Sequence, residues 1–67
     1  MIYKIFDSRE LANGQFIFQI EAEYNGIYDS DVIEFCGDHY VSMLTCEIYE
    51  PLYNKNFNLI GFTNSII

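Results

Sequence analysis

Apolar and polar residues alternate most regularly between Phe16 and Phe35, on either side of Asn25-Gly26. Alternation with a period of two places one set of side chains on a core and the other set on the opposite face of a strand. Asn and Gly both tolerate positive φ, so Asn25-Gly26 favours a two-residue type I′ turn. The stretch therefore predicts a long hairpin with three apolar pairs on its core face: Tyr24 with Ile27, Phe18 with Ile33, and Phe16 with Phe35.

Two carboxylates interrupt the core face of this hairpin. The same register places Asp29 and Asp31 opposite apolar residues of the first strand. A buried carboxylate without a partner is costly. We therefore expect a bulge over residues 28–31 that turns both carboxylates to water, with regular pairing resumed at Val32.

The segment before the hairpin predicts a first strand over residues 1–6. A tight turn at Asn13-Gly14 would pair this strand with the hairpin through favourable contacts. The pairs would be Ile5 with Ala22, Tyr3 with Tyr24, and Lys4 with Glu23. Because that register puts Asp7 and Arg9 on the core face, we expect residues 7–11 to leave the ladder as a short helical turn.

The segment after the hairpin is less regular. Residues 39–49 alternate as a strand and are rich in β-branched and aromatic residues, but Asp38 could also cap a helix there. Pro51 is expected to end that element. Residues 57–63 predict a last strand in which Gly61 marks a bulge or a close approach, and the apolar tail at Ile66-Ile67 is expected to dock on the core or on a partner.

These elements predict an all-β fold, or an α+β fold if residues 39–49 are helical. The expected architecture is an antiparallel meander of about five strands, laid out as one sheet or curled into a small barrel. Residues 1–67 make one small domain, whose core is small enough that a homo-oligomer is a reasonable expectation. No apolar run is long enough to span a membrane, and no basic-then-apolar leader is evident, so we expect a cytoplasmic protein.

The charge distribution changes the functional picture. The chain has a formal net charge of −7, with three basic residues and ten acidic ones. No Lys or Arg occurs between Glu10 and Asn54. Direct binding to nucleic acid or to an anionic membrane is therefore not expected, and a basic protein surface is the expected partner.

The second face of the predicted sheet mixes apolar and acidic residues, whereas a purely solvated face is more polar. Its apolar members are candidate contacts between copies of the chain: Ile17, Val32, Val41 and Met43. The acidic residues and two tyrosines are candidate partner contacts, since tyrosine is over-used at interfaces: Glu21, Glu23, Tyr28, Asp29, Asp31, Glu34, Glu47 and Tyr49.

Catalytic and metal-binding patterns are weak. His39 is the single histidine, and the Cys-Gly-Asp-His segment at residues 36–39 lacks the spacing of a zinc site. Asp29, Asp31 and Glu34 resemble a calcium loop only faintly, without its glycine and distal glutamate. Cys36 and Cys46 are expected on opposite faces as reduced thiols. We predict no metal, no cofactor and no enzymatic activity.

Two functions are consistent with these features. The first is a protein-binding inhibitor whose carboxylates stand in for phosphates on the basic site of a partner. In size and charge the chain resembles, in a general way, virus-encoded inhibitors of host nucleases and defence systems. The second is a homo-oligomeric assembly module, kept soluble by its acidity.

Overall fold

The computed structural model describes residues 1–64, which form six antiparallel strands. They are β1 (Ile2–Glu10), β2 (Phe16–Tyr24), β3 (Ile27–Cys36), β4 (His39–Ser42), β5 (Ile48–Tyr53) and β6 (Leu59–Asn64). Each strand pairs with the next, and β6 pairs with β1 to close a small barrel. The all-β class and the antiparallel meander are confirmed, with six strands rather than about five. The predicted dock of Ile66 and Ile67 lies outside the described residues.

The β2–β3 hairpin forms as its turn chemistry predicts. Asn25 and Gly26 have φ values of 53° and 79°, the left-handed pair that a type I′ turn requires. The pairs Tyr24 with Ile27 and Phe18 with Ile33 are confirmed. The ladder ends at the pair of Ile17 with Glu34, so the third predicted pair, Phe16 with Phe35, lies one residue beyond it.

The predicted bulge over residues 28–31 is wrong, because the β2–β3 ladder is continuous there. Ala22 faces Asp29, and Ile20 faces Asp31. Asp31 is only 8% exposed. Its carboxylate can stay inside because hydroxyl and amide groups donate hydrogen bonds to it, so the penalty for an unpaired buried charge does not apply.

The expected register of the first strand is also wrong. Lys4 pairs with Glu21 and Ile5 pairs with Ile20, so β1 is shifted by two residues along β2. The ladder then shifts between Ile5 and Asp7, and β1 continues to Glu10 without a helical turn. One extra residue reverses the side-chain alternation, which turns Asp7 and Arg9 outward and removes the reason to leave the ladder.

Residues 39–49 are neither a helix nor one strand. β4 ends at Ser42, a turn follows in which Cys46 takes a φ of 66°, and β5 starts at Ile48. The turn brings Tyr49 opposite Tyr40 and therefore into the barrel. Pro51 does not end the strand but lies within β5, since β4 pairs with β5 only before that position and no ladder donor is needed there.

Gly61 marks the close approach that the sequence predicts. It lies opposite Lys4 in the seam between β1 and β6. A Cβ atom at Gly61 would stand 2.5 Å from the carbonyl oxygen of Tyr3. The glycine therefore allows the two strands that close the barrel to meet.

The barrel interior has an aromatic half and a polar half. In the aromatic half, the rings of Tyr40 and Phe62 have centroids 4.8 Å apart, and Phe18 lies 5.6 Å from Phe62. In the polar half, Tyr3 and Tyr49 meet edge to face at 5.3 Å. The polar half lies beneath the β2–β3 hairpin and determines how that hairpin is held.

Candidate functional site

The tip of the β2–β3 hairpin extends past the strands on either side of it. β1 pairs with β2 only as far as Glu21, and β4 pairs with β3 only from Ile33 onward. Residues 22–31 therefore have no other described strand beside them, and together with Glu21 at their base they are called here the projecting hairpin. Near the tip Tyr28 is 72% exposed.

Two carboxylates fasten the projecting hairpin to the barrel from the inside. The Tyr3 hydroxyl donates to Asp29 Oδ2 at 2.6 Å. The Tyr49 hydroxyl donates to Asp31 Oδ2 at 2.7 Å, and Ser42 Oγ donates to Asp31 Oδ1 at 2.8 Å. These bonds reach β1, β4 and β5, so the hairpin is joined to three strands that it does not pair with at this level.

The two tyrosines remain neutral donors because of where they lie. Burial raises the pKa of Tyr49, and its hydrogen bond to the Asp31 carboxylate raises it further. Burial and the bond to Asp29 likewise raise the pKa of Tyr3. Both hydroxyls therefore keep their protons near neutral pH, and a neutral hydroxyl can donate to a carboxylate.

The outer face of the projecting hairpin carries three of the predicted partner contacts. Glu21 and Glu23 lie two residues apart on β2, and Tyr28 pairs directly with Glu23 across the ladder. The Glu23 side chain is the main reason that the pKa of the Tyr28 hydroxyl is raised. A groove of about 400 Å³ opens beside these residues, between the hairpin and the start of β1. Its lining consists of Ile2, Lys4, Glu21, Ala22, Glu23 and Tyr28.

Basic residues of the described chain form no salt bridge with the glutamates of this face. Lys4 lies opposite Glu21 in the ladder but forms no salt bridge with it. The one salt bridge within residues 1–64 joins His39 Nδ1 to Asp38 Oδ1 at 2.8 Å, and it lowers the pKa of the Asp38 carboxyl. Glu21 and Glu23 therefore present their charge outward.

The other predicted partner contacts are scattered. Asp29 is exposed but lies on the inner face of the hairpin, where it binds Tyr3. Asp31 and Tyr49 are buried together in the barrel, which corrects their assignment to the outer face. Glu34 lies further along β3 and accepts a hydrogen bond from Gln15 Nε2 at 2.9 Å. The remaining predicted contact, Glu47, is exposed in the β4–β5 turn.

The predicted oligomer contacts lie together on the outside of the barrel. Ile17, Glu34 and Val41 stand side by side on three neighbouring strands. Ile48 extends that row onto β5. Val32 lies two residues before Glu34, and the Met43 N–H donates to the Val32 carbonyl at 2.8 Å. We call this set the apolar face: Ile17, Val32, Val41, Met43 and Ile48.

The apolar face and the glutamates of the projecting hairpin belong to one continuous surface. Along β2 and β3 the outer pairs run from Ile17 with Glu34, through Gln19 with Val32, to Glu21 with Ser30 and Glu23 with Tyr28. Apart from Glu34, which lies among the apolar residues, the apolar residues occupy one end of this series and the acidic residues the other. An apolar patch with a charged margin is the usual anatomy of a protein-binding surface.

Candidate chemistry elsewhere is sparse. No group of three or more His, Cys, Asp or Glu residues within residues 1–64 is placed to hold a metal ion. Cys36 and Cys46 are exposed free thiols. Cys36 pairs with His39 across the β3–β4 turn, where the neighbouring Asp38 binds the imidazole. In the same described part of the chain, no helix has the length and apolar character that crossing a membrane requires.

Comparison of the chain with protein-family models, with curated proteins and with solved structures gives no match. The functional argument therefore rests on the geometry of the surface itself.

Sequence reasoning missed Ser42 as an organising residue. Its hydroxyl donates to Asp31 and accepts from the N–H groups of Leu44 and Thr45 at 3.1 and 3.0 Å. Ser42 thus ties the projecting hairpin to the β4–β5 turn. A signal was present in the sequence, since a serine at a core position between Tyr40 and Leu44 needs a polar partner.

Proposed function

We propose that this protein is a binding inhibitor that covers a basic, nucleic-acid-binding surface of another protein, in the manner of virus-encoded inhibitors of host nucleases and defence enzymes. The observation that carries the proposal is the outer face of the projecting hairpin. There Glu21, Glu23 and Tyr28 stand together, and no basic residue of the described chain forms a salt bridge with them.

Carboxylates in this arrangement suit arginine and lysine. Ionised acceptors form short, strong hydrogen bonds with both, and arginine can bind a carboxylate with two parallel bonds. Two residues of a strand rise about 6.6 Å, so Glu21 and Glu23 offer successive acceptors along one line. Tyr28 adds a ring on which a guanidinium can stack.

The anchoring of the hairpin supports the same proposal. A loop that must be ordered on binding loses affinity through that ordering. Here Asp29 and Asp31 tie the hairpin to the barrel beforehand, through hydroxyls of Tyr3, Ser42 and Tyr49. The acidic face is therefore presented by a preorganised element.

The test uses two double variants with the same change in net charge. In the first, Glu21→Lys and Glu23→Lys reverse the charge of the projecting hairpin. In the control, Glu10→Lys and Glu50→Lys change exposed glutamates on β1 and β5. Wild-type protein is used to capture partners from host lysate at low salt, and the captured protein is identified and purified.

The proposal predicts a basic partner that high salt releases and whose nucleic-acid binding the wild type blocks. The control variant should block it equally well, whereas the hairpin variant should not. Equal blocking by both variants would show that the hairpin glutamates are not the contact. A captured partner with an acidic or neutral surface would refute the proposal outright.

The apolar face favours a second function, that of a homo-oligomeric assembly module. Apolar residues that gather on one outer face are often contacts between copies of a chain. Light scattering distinguishes the two functions through Met43→Asp, which changes a half-exposed member of the apolar face. Ile60→Asp is its control, since Ile60 is equally exposed (54% against 50%) on β6, outside that face. If the protein is an assembly module, Met43→Asp should lower the particle mass in solution to that of the monomer and Ile60→Asp should not. If it is an inhibitor that acts as a monomer, the particle mass should stay the same in both variants.

A further inference from the structure

The open edge of β3 in the projecting hairpin points to a more specific mode of binding. We infer that the partner adds an extended, basic segment as an extra strand along residues 28–30 of β3. This inference rests on the proposed function, because it names how the basic partner is held. The observations behind it are backbone N–H and C=O groups of β3, so it does not depend on the glutamate side chains.

The backbone groups of Tyr28 and Ser30 face away from β2. In an antiparallel strand the N–H and C=O groups of alternate residues point to opposite sides. Val32 points away from β2, since its carbonyl accepts the Met43 N–H and its own N–H donates to Asp31 Oδ1. Tyr28 and Ser30 share the alternation of Val32, so their N–H and C=O groups point the same way.

No described strand covers those groups. β4 ends at Ser42, opposite Ile33, and residues 1–64 supply no other strand along this edge of β3. At Val32, on the same edge, the backbone N–H and C=O both have hydrogen-bond partners. Two residues further toward the tip, at Ser30, no strand of the described chain lies where a longer β4 would run. Such an edge is a template for strand addition.

The other edge of the projecting hairpin is a weaker template. β1 pairs with β2 up to Glu21, and Ala22 and Tyr24 direct their backbone groups to β3. Only Glu23 is then free to pair with an added strand on that side. The β3 edge offers two such residues in line, and it continues the path of β4, so it is the better docking edge.

The charges around the β3 edge select the occupant. A second copy of this chain is disfavoured, because antiparallel self-pairing over residues 28–30 would place Asp29 against Asp29 of the other copy. A basic strand meets the opposite situation. Its side chains on one face would lie beside Asp29, and those on the other face would lie beside Tyr28 and Ser30, with Glu23 one strand further away on β2. The edge thus rejects its own copy and favours an extended segment containing Arg or Lys.

The probe is a synthetic octapeptide of alternating arginine and valine. Its control is the same octapeptide with a methyl group on every backbone nitrogen, which has the same charge but lacks the N–H groups that a strand needs. Affinity is measured by titration against wild-type protein, Ser30→Pro and Ser30→Ala. Ser30→Pro removes only an N–H that faces the open edge, where proline is tolerated, whereas Ser30→Ala keeps that N–H.

Strand addition predicts that the arginine–valine peptide binds at least tenfold more tightly than its N-methylated control. Ser30→Pro should weaken that binding at least tenfold, and Ser30→Ala less than threefold. In the wild type, hydrogen exchange at the Tyr28 and Ser30 amides should slow at least tenfold when the peptide is bound. The exchange measurement does not depend on any variant folding.

Equal affinity for the two peptides, or unchanged exchange at Tyr28 and Ser30, would overturn strand addition. The function proposed above would survive that result if the Glu21 and Glu23 variant still failed to block the captured partner. No binding of the arginine–valine peptide at millimolar concentration would also overturn the inference. If strand addition succeeds but the charge-reversal test fails, the β3 edge is the partner contact and the two glutamates are not.

Discussion

Replacing Asp31 by alanine tests the polar interior that holds the projecting hairpin. The carboxylate is 8% exposed and accepts hydrogen bonds from Tyr49, Ser42 and the Val32 amide at 2.7, 2.8 and 2.7 Å. In the alanine variant the two hydroxyls lose their acceptor inside the barrel. We expect a clear loss of stability, because buried donors without partners are costly.

The magnitude follows from the two hydroxyls. Each buried donor left without an acceptor costs about 1–3 kcal/mol. Removal of a buried charge returns part of that, since its desolvation was itself unfavourable. The expected net loss is about 3 kcal/mol, against a total stability of roughly 3–10 kcal/mol for a domain of this size. Asp31→Asn should lose only about 1 kcal/mol, because its amide keeps one acceptor oxygen and can donate to Tyr49.

Urea unfolding followed by circular dichroism measures the change. A double-mutant cycle with Tyr49→Phe isolates the bond itself. In the wild-type background Tyr49→Phe should cost about 1.5–3 kcal/mol, the range for a hydrogen bond to a charged group. In the Asp31→Ala background it should be nearly neutral, since the hydroxyl no longer has an acceptor. Asp38→Ala, at an exposed turn, is the control and should stay within about 0.5 kcal/mol.

An Asp31→Ala protein as stable as the wild type would refute this reasoning. It would mean that the hydrogen bonds to Asp31 add no net stability, and that the ladder alone holds the hairpin. Additive losses in the cycle would lead to the same conclusion, because residues that share a hydrogen bond are expected to be coupled.

Three further outcomes are expected from other parts of the barrel. Gly61→Ala should cost about 1–3 kcal/mol in urea unfolding, because its Cβ would press on the Tyr3 carbonyl at the closing seam; an unchanged midpoint would show that the seam can open freely. Stability should fall as pH rises above about 10, since unfolded tyrosine ionises there while the raised pKa keeps folded Tyr49 neutral. Tyr49 contributes about 1.4 kcal/mol per pH unit to that slope, and Tyr49→Phe should remove this share; an equal slope in the variant would contradict the assignment. Asp29→Ala should speed hydrogen exchange at the tip of the projecting hairpin at least tenfold without unfolding the barrel, whereas Asp38→Ala should leave the exchange unchanged.

Local patterns predict the hairpin well because its causes are local. The alternation of β2 and the left-handed tolerance of Asn25 and Gly26 act within a few residues, and together they set the pairing of β2 with β3. The same local logic fails for Asp31. Local patterns predict that burying this carboxylate is unfavourable. The hydroxyls of Ser42 and Tyr49 that stabilise it lie on other strands, and the sequence does not show that those strands are adjacent.

The candidate site was predictable only in part, for the same reason. Glu21, Glu23 and Tyr28 were all predicted as partner contacts, and the structure brings them together because the turn sets the pairing of β2 with β3. Tyr49 was placed on the wrong face because the turn after β4 contains Cys46 in a left-handed conformation. Cysteine carries no signal for that conformation, whereas glycine or asparagine would have. The turn reverses the alternation, so Tyr49 lies inside the barrel and Ile48 outside it.

The inward carboxylates reconcile two properties that otherwise conflict in a projecting hairpin. An uncovered edge strand invites pairing with other copies, and proteins often block that with inward-pointing charges. Asp29 and Asp31 are such charges, yet they also accept the hydrogen bonds that fix the hairpin to the barrel. A neutral anchor would hold the hairpin less tightly and would leave its edge open to self-association. The same two residues thus make the edge rigid, keep it free of its own copies, and leave it suited to a basic strand.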